Sequence, residues 1–570
     1  MGTEFQVVGR NTAAPFTLKI HRGDGMALLA MDWKKGKPPK EFVGFAIEYK
    51  EPGGAAFFPL PNRLQFKPPL KGSPPDPRST RLSPIQKFRW VHFPRNADLE
   101  GDFTYRVTPV FLDPEDKLTY GEPQEASLAL QRETCPGRLN VAFTRGFVSS
   151  QAFVDRFESA GPVSALLPPK AEEGLEFSPS HPKAEEALAW MGFEARSAIL
   201  ELLDEALGDT KAQVRVVAYD LNDPEVVSRL ERLGSRLKII IDDSGTHKPA
   251  SSAESQAATR LAASAGKAQV KRQHMKSLQH NKTIVVDGPM VKKALCGSTN
   301  LSWRGFFVQN NHALILTGPS AIQPFLDAFE AYWDGSAAAF GGTEAAQWHE
   351  LGLKDLEVWA TFSPHGADNA QLEVVAGDVA EETRSSLFYS LAFLYQTPGP
   401  VLDAIQKVSD QEGIFVYGIS DREVGGLVLQ KPDGNLAPVY PAALGKDLPA
   451  PFSKEPTGGG GIRMHHKFLV VDFDTPDARV WLGSYNFSGA SDTSNGENLL
   501  LIRDRKVATS FMVEALRIFD HYHFRVAQAE SKQAKKELSL KRPPRQAGEQ
   551  PWWEEHYTDP RKVRDRKIFS

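Results

Sequence analysis

Two stretches of the chain carry the same chemistry-bearing residues in the same order. One reads His280-Asn-Lys282, an apolar TIVV run and Asp287, followed by Gly297-Ser298-Thr-Asn300-Leu-Ser302. The other reads His465-His-Lys467, FLVV and Asp472, followed by Gly483-Ser484-Tyr-Asn486-Phe-Ser488. With an ordinary pKa of about 6.5, imidazole can attack phosphorus when neutral or donate a proton when charged, both near neutrality. Lysine adds a flexible positive charge and asparagine a neutral amide donor, and both suit the non-bridging oxygens of a phosphate. Two such sets place a nucleophile on one side of phosphorus and an acid beside the leaving oxygen, with charge neutralisation that requires no metal. A lone His-x-Lys is usually an ordinary structural pair and a lone Gly-Ser-x-Asn usually a turn. Repetition of the whole order within one chain argues against coincidence.

The spacing dictates the elements that must carry these groups. Period two puts His and Lys on one side of an extended strand, so they can meet one small anion together. TIVV and FLVV are the apolar runs of a strand buried on both faces. Asp287 and Asp472 end those runs, where a carboxylate can bind local backbone or an adjacent basic group. From LNVAF (139–143) onward, strands alternate with helices: a helix over 182–207, a strand at 214–219, a short helix at 224–234 and a strand at 237–242. That is α/β grammar. A second α/β half begins near 356, with a helix expected over 380–395 leading to a strand at 414–420. Between the halves, 334–347 reads as a connector, and 431–461, dominated by turn formers, as a long surface excursion.

Both motifs resemble the phospholipase D superfamily, whose signature is HxKxxxxD followed by GSxNxS. The resemblance covers residues 139 to about 530 and implies a pseudo-twofold, two-lobed α/β body with the motifs meeting between the lobes. It also implies a phosphohistidine intermediate resolved by water or an alcohol. A family carboxylate often follows the GSxN segment and supports a catalytic histidine, in several members across the lobes. Glu497 occupies that place in the second half, and Asn311 is its counterpart in the first. The implied catalytic set is His280, Lys282, Asn300, His465, Lys467, Asn486 and Glu497, supported by Asp287, Ser298, Asp472 and Ser484. If the carboxylate acts across the lobes, Glu497 supports His280 and leaves His465 as the acid.

The expected domains are a β-rich accessory domain (1–138), the first lobe (139–345), the second lobe (346–530) and a charged C-terminal extension (531–570). Strand-like runs at 42–49, 88–93, 103–111 and 126–130 suit a small sandwich of immunoglobulin or fibronectin type, or else a β-rich extension of the catalytic body. The 67 Lys+Arg and 71 Asp+Glu give a formal charge of -4, which offers no global attraction to a polyanion and still permits a local basic pocket. The two cysteines, Cys135 and Cys296, exclude a cysteine-rich zinc site or disulfide scaffold and are compatible with a reducing cytoplasm. No secretory signal or membrane span is legible.

The leading reading is therefore a metal-independent phosphodiesterase, without cofactor, acting on a phospholipid headgroup diester. The alternatives are a nuclease of the same superfamily and a noncatalytic phosphate-binding protein. Oligomeric state is open. His274, with Lys271, Arg272 and Lys276, forms either a basic approach to the first motif or a solvated charge run. His365 lines the cleft or is an ordinary loop residue. Trp359, Phe362 and Trp481 read as core aromatics.

Overall fold

The computed structural model describes the chain apart from residues 1–3, 95, 131–132, 147–152, 154–155, 163–164, 395–397, 422–426, 431–435, 440–463 and 536. Most of the excursion expected at 431–461 lies outside the described residues. The chain divides into two compact units, one of Met1–Arg132, Met512–Arg517 and Val526–Ser570, the other of Glu133–Phe511 and Ile518–Arg525.

The first unit is β-rich. One sheet has the order Gln6–Val8, Phe16–Gly23, Met26–Trp33, Arg89–His92, and the other Phe58–Pro59, Phe42–Lys50, Asp102–Leu112, Leu118–Tyr120, with Gln124–Ala129 also paired to Asp102–Leu112. Phe16, Ile20 and Leu29 of the first sheet share one core with Phe45, Ile47 and Tyr105 of the second. The hairpin Phe16–Gly23/Met26–Trp33 escapes the sequence reading although Asp24-Gly25 is a strong turn signal, with Gly25 at φ 58°. Trp552 and Trp553, from the end of the chain, are buried in the same core, and Trp552 Nε1 donates to the Phe42 carbonyl at 3.1 Å.

The second unit is an α/β body of two lobes, each built on one sheet. The first sheet runs Leu139–Phe143, His312–Thr317, Lys292–Gly297, Thr283–Asp287, Gln213–Ala218, Leu237–Ile241, Val270–Arg272. The second contains Glu357–Ser363, Glu497–Arg503, Arg479–Gly483, Lys467–Val471, Ser386–Leu391 and Phe415–Asp421 in the corresponding order. Four antiparallel pairings followed by a parallel one occur in both. The repeat seen in the motifs is thus a repeat of these six strands in each sheet. Helices such as Ala184–Gly208 and Pro224–Leu233 cover the first sheet, the latter capped by Asp223, whose carboxylate accepts from Val226 N.

One expected element is wrong. The described residues of 380–395 do not form one helix: the helix Leu372–Glu382 ends among them and Ser386–Leu391 is a central strand, followed by the helix Pro400–Ser409. All six strand residues are buried. Burial on both faces removes the alternation that would distinguish a strand from a buried helix, and the aromatic SLFYSL run favours the pleated form.

Candidate active site

Each His-x-Lys pair enters the start of a central strand, Thr283–Asp287 in one lobe and Lys467–Val471 in the other. The apolar strand anchors the pair, while each lysine ammonium folds back onto the carbonyl of its own histidine: Lys282 onto His280 O, and Lys467 onto His465 O at 2.8 Å. The neighbouring strands Lys292–Gly297 and Arg479–Gly483 end in the motif glycines. A Cβ on Gly297 would sit 2.6 Å from the His312 carbonyl oxygen, and one on Gly483 2.2 Å from that of Asn498, with φ at +130° and +146°. Only glycine permits these close approaches. Immediately after it, Ser298 Oγ accepts from His312 N and Ser484 Oγ from Asn498 N, both at 3.0 Å. The motif serines therefore pin the strand that carries the next functional residue.

The lobes meet at these strands. His280 N donates to Gly496 O at 2.9 Å and His465 N to Asn310 O at 3.0 Å, so each histidine is held by backbone of the opposite lobe. Side chains follow the same exchange. His280 Nδ1 lies 2.8 Å from Glu497 Oε2, and His465 Nδ1 lies 2.8 Å from Asn311 Oδ1. Beside them, Asn498 donates to Asn281 at 2.9 Å, while His312 and His466 stack with rings 9° from parallel and their Nδ1 atoms 3.3 Å apart. The His280 and His465 ring centroids are 6.4 Å apart, so one small group can lie against both.

Electrostatics distinguish the two histidines. Burial lowers the His280 pKa, helped by Lys282 and Lys467 and opposed by Glu497. Burial drives His465 well below the ordinary value, and Lys467, Lys282, His280 and Arg304 push the same way. Burial works to raise the Glu497 carboxyl, but His280 and Lys282 outweigh it and keep it below its usual range. Burial also brings the Lys282 ammonium down to about 8, against the opposing pull of Glu497, Asp220 and Asp242. With Nδ1–H directed to an oxygen partner, each neutral imidazole presents a basic Nε2.

Of the residues singled out in the sequence, His280, Lys282, His465, Lys467 and Glu497 lie together, buried. Asn300 is buried, and its Nδ2 donates to Asp220 Oδ2 at 2.7 Å. Asn486 is fixed through its backbone N, which donates to Ser491 Oγ at 3.1 Å. Asp287 and Asp472 are at the far ends of their strands. Asp287 pairs with Lys292, and Asp472 accepts from the backbone N of Arg384, Ser385 and Ser386. At about 3.3 Å rise per residue these carboxylates are too distant to touch what the histidines touch.

The basic run is tied down in part. Arg272 Nη2 donates to the carbonyls of Asp242 and His247, Lys271 to Trp333 O, and exposed His274 pairs with Asp243 at 2.6 Å. His365 is buried, its Nδ1 2.7 Å from Asp492 Oδ1, in a pair that also holds the backbone N of Gln371. Phe362 and Trp481 are core residues, while Trp359 is half-buried.

A cluster next to the first motif was not foreseen. His247 lies between Asp242, 2.8 Å from Nδ1, and Asp220, 3.1 Å from Nε2, with Glu254 at 3.9 Å. Asp220, His247 and Glu254 present donor atoms within 4.8 Å of one another, a set able to hold a metal ion. Tyr219 separates this cluster from the motif, its ring 4.6 Å from both His247 and His280. Asp220 follows the strand Gln213–Ala218, Asp242 and His247 follow Leu237–Ile241, and Glu254 lies in the helix Ala253–Ala265, so no short motif in the sequence joins all four.

The family model described as cardiolipin synthase, PLD-like domain, matches residues 203–333 and 439–519. No curated protein matches the chain. Among solved structures, phosphatidylserine synthase of Haemophilus influenzae Rd KW20 is 15% identical over 60% of this chain and 92% of its own, with a TM-score of 0.42. The phospholipase D family member Nuc from Salmonella typhimurium is 25% identical over 25% of this chain and 87% of its own, with a TM-score of 0.21. Yeast tyrosyl-DNA phosphodiesterase (an H432N_Glu mutant) is 11% identical over 53% and 85%, with a TM-score of 0.29. Among the described residues no helix is long and apolar enough to cross a membrane.

Proposed function

The chain carries a phospholipase D-like domain with two HKD-type motifs, and from that premise we propose that it is a metal-independent phosphodiesterase working through a phosphohistidine on His280. The observation that carries the reading is the 2.8 Å contact between His280 Nδ1 and Glu497, set against the neutral amide of Asn311 on His465. A carboxylate on Nδ1 fixes the tautomer and stabilises the positive ring that forms when Nε2 attacks. His280 Nε2 bonds to phosphorus as the bond to the departing alcohol oxygen breaks, and His465 Nε2–H passes its proton to that oxygen. Water then attacks phosphorus, His465 recovers a proton from it, and the P–N bond breaks.

His465 must be charged before the first step, although burial and nearby cations favour its neutral form. A bound diester anion offsets those cations and raises its pKa, so protonation accompanies substrate binding. Lys282, Lys467, Asn300 and Asn486 serve the non-bridging oxygens.

The two lobes, 139–345 and 346–530, are read as pseudo-twofold copies sharing one site, and residues 1–138 as an immunoglobulin-like sandwich that restricts or presents substrate. A phospholipid headgroup diester is the preferred substrate because the overall negative charge disfavours extended contact with a nucleic-acid backbone. The test is a screen of phospholipid vesicles against single- and double-stranded nucleic acids, before and after chelation. Headgroup release that survives chelation and disappears in His280→Ala is expected. Cleavage of nucleic acid alone replaces the lipid reading, and binding without turnover on any substrate rejects the enzymatic one.

A further inference from the structure

We propose that Asp220, His247 and Asp242 form a positioning bridge that orients the phosphate-binding amide of Asn300 and the entry of His280 into its strand. The bridge rests on the functional reading above, because it acts through two members of the proposed catalytic set.

His247 has a carboxylate at each ring nitrogen: Asp242 Oδ2 at 2.8 Å from Nδ1 and Asp220 Oδ1 at 3.1 Å from Nε2. A neutral imidazole has one donor and one lone pair, so one of these contacts would set a lone pair against a carboxylate. A proton shared among the three groups removes that clash, and the ring then holds both carboxylates at fixed positions. Glu254 stands 3.9 Å from Nε2, beyond hydrogen-bond distance. Among the other charged groups, Arg272 meets the backbone carbonyl of His247 and not its ring, while the Lys282 ammonium lies 4.8 Å from the Tyr219 ring centroid.

Each carboxylate uses its second oxygen on the active site. Asp242 Oδ1 accepts from Gln279 N at 2.7 Å, one residue before His280. Asp220 Oδ2 accepts from Asn300 Nδ2 at 2.7 Å. An amide can rotate by half a turn and exchange its donor and acceptor ends. With one N–H of Nδ2 committed to Asp220, the other is left for a phosphate oxygen, and the exchanged orientation would bring Oδ1 against a carboxylate. Tyr219, packed edge to face with both His247 and His280, fills the space between bridge and motif. None of the three bridging residues belongs to the repeated motifs.

Coupling between Asp220 and Asn300 separates this role from general support of the fold. The full-length wild-type chain, Asp220→Ala, Asn300→Ala and the double variant would be compared for tungstate affinity and bis(p-nitrophenyl) phosphate turnover, with melting curves for each. Asp220→Ala should weaken tungstate binding about 10-fold in the wild-type background and less than about 2-fold when Asn300 is already alanine. Asp220→Asn keeps an acceptor for Asn300 and should lose about 3-fold; the same cycle run with it decides the matter if Asp220→Ala does not fold. Equal losses in both backgrounds, or no tungstate binding by the wild type, would overturn the bridge. Stoichiometric Zn²⁺ uptake abolished by His247→Ala would also overturn it, by putting an ion where the bridge requires direct contact between the side chains. A coupled tungstate cycle without turnover of any diester would leave the bridge standing and remove the catalytic reading.

Discussion

At the scale of single residues, the two histidines differ in one atom pair: a carboxylate oxygen stands against His280 and an amide oxygen against His465, both at 2.8 Å. Glu497→Gln should keep that geometry while losing the charge, lowering kcat by about 10²-fold or more with little change in KM. A comparable loss in Asn311→Ala alone, with Glu497→Gln near wild type, would reverse the assignment. Rapid quench with a diester bearing an activated leaving group, followed by peptide mapping, should place the label on His280. His465→Ala should still accumulate it, since such a leaving group needs little acid. Label on His465 in the unmodified enzyme would exchange the two roles. The motif residues were legible because each set lies within about 25 contiguous positions and is repeated. Asp220 and the Asp242–His247 pair were not, because they follow two separate strands and no local pattern links them.

At the scale of elements, the site depends on how closely strands approach at the motif glycines. Gly483→Ala would force a Cβ to within 2.2 Å of the Asn498 carbonyl oxygen at a φ that side chains resist. A loss of about 1–3 kcal/mol is expected, read as a lower melting temperature, together with reduced turnover because Asn498 follows Glu497 directly. Unchanged melting would show that the strand can yield there. The strands bearing the motifs were readable from their unbroken apolar runs. Ser386–Leu391 has the same burial, but its sequence merges with that of a neighbouring helix end, and periodicity could not divide them. His365 shows the same limit at a loop: its partner Asp492 is distant in sequence, so nothing local announced a buried pair.

At the scale of the whole molecule, buried histidines set the pH range of stability. Burial lowers the pKa of His280, His312 and His465 in the folded chain, so the unfolded chain binds more protons below about 6.5. Their contribution is present above that pH and is lost as pH falls. His247 has the opposite sign: burial lowers its pKa, but Asp220, Asp242 and Glu254 prevail and raise it to about 10. Its contribution is complete below about 6.5 and lost as pH rises toward 10. Melting temperatures measured from pH 4 to 10 should fall on both sides of neutrality, and His247→Gln should flatten the alkaline limb alone. An unaltered alkaline limb in that variant would contradict the sign assigned to His247. The N-terminal unit offers a separate check, because Trp552 from the last residues of the chain completes its core. Trp552→Ala should cost about 3–5 kcal/mol in that unit, visible as an earlier unfolding step.

The reciprocal hold of each lobe on the other's histidine has a consequence for how such a site can specialise. In a pair of identical subunits, any substitution appears twice, so Glu on one side would oblige Glu on the other and both histidines would receive the same partner. Carrying both halves in one polypeptide removes that obligation. Glu497 and Asn311 occupy matching places yet differ, as do the Asn281–Asn498 and His466–His312 pairs beside them. Covalent linkage of the halves thus permits symmetry to be broken at the level of single atoms while the strand framework stays repeated, and a division of labour between two otherwise equivalent imidazoles becomes heritable.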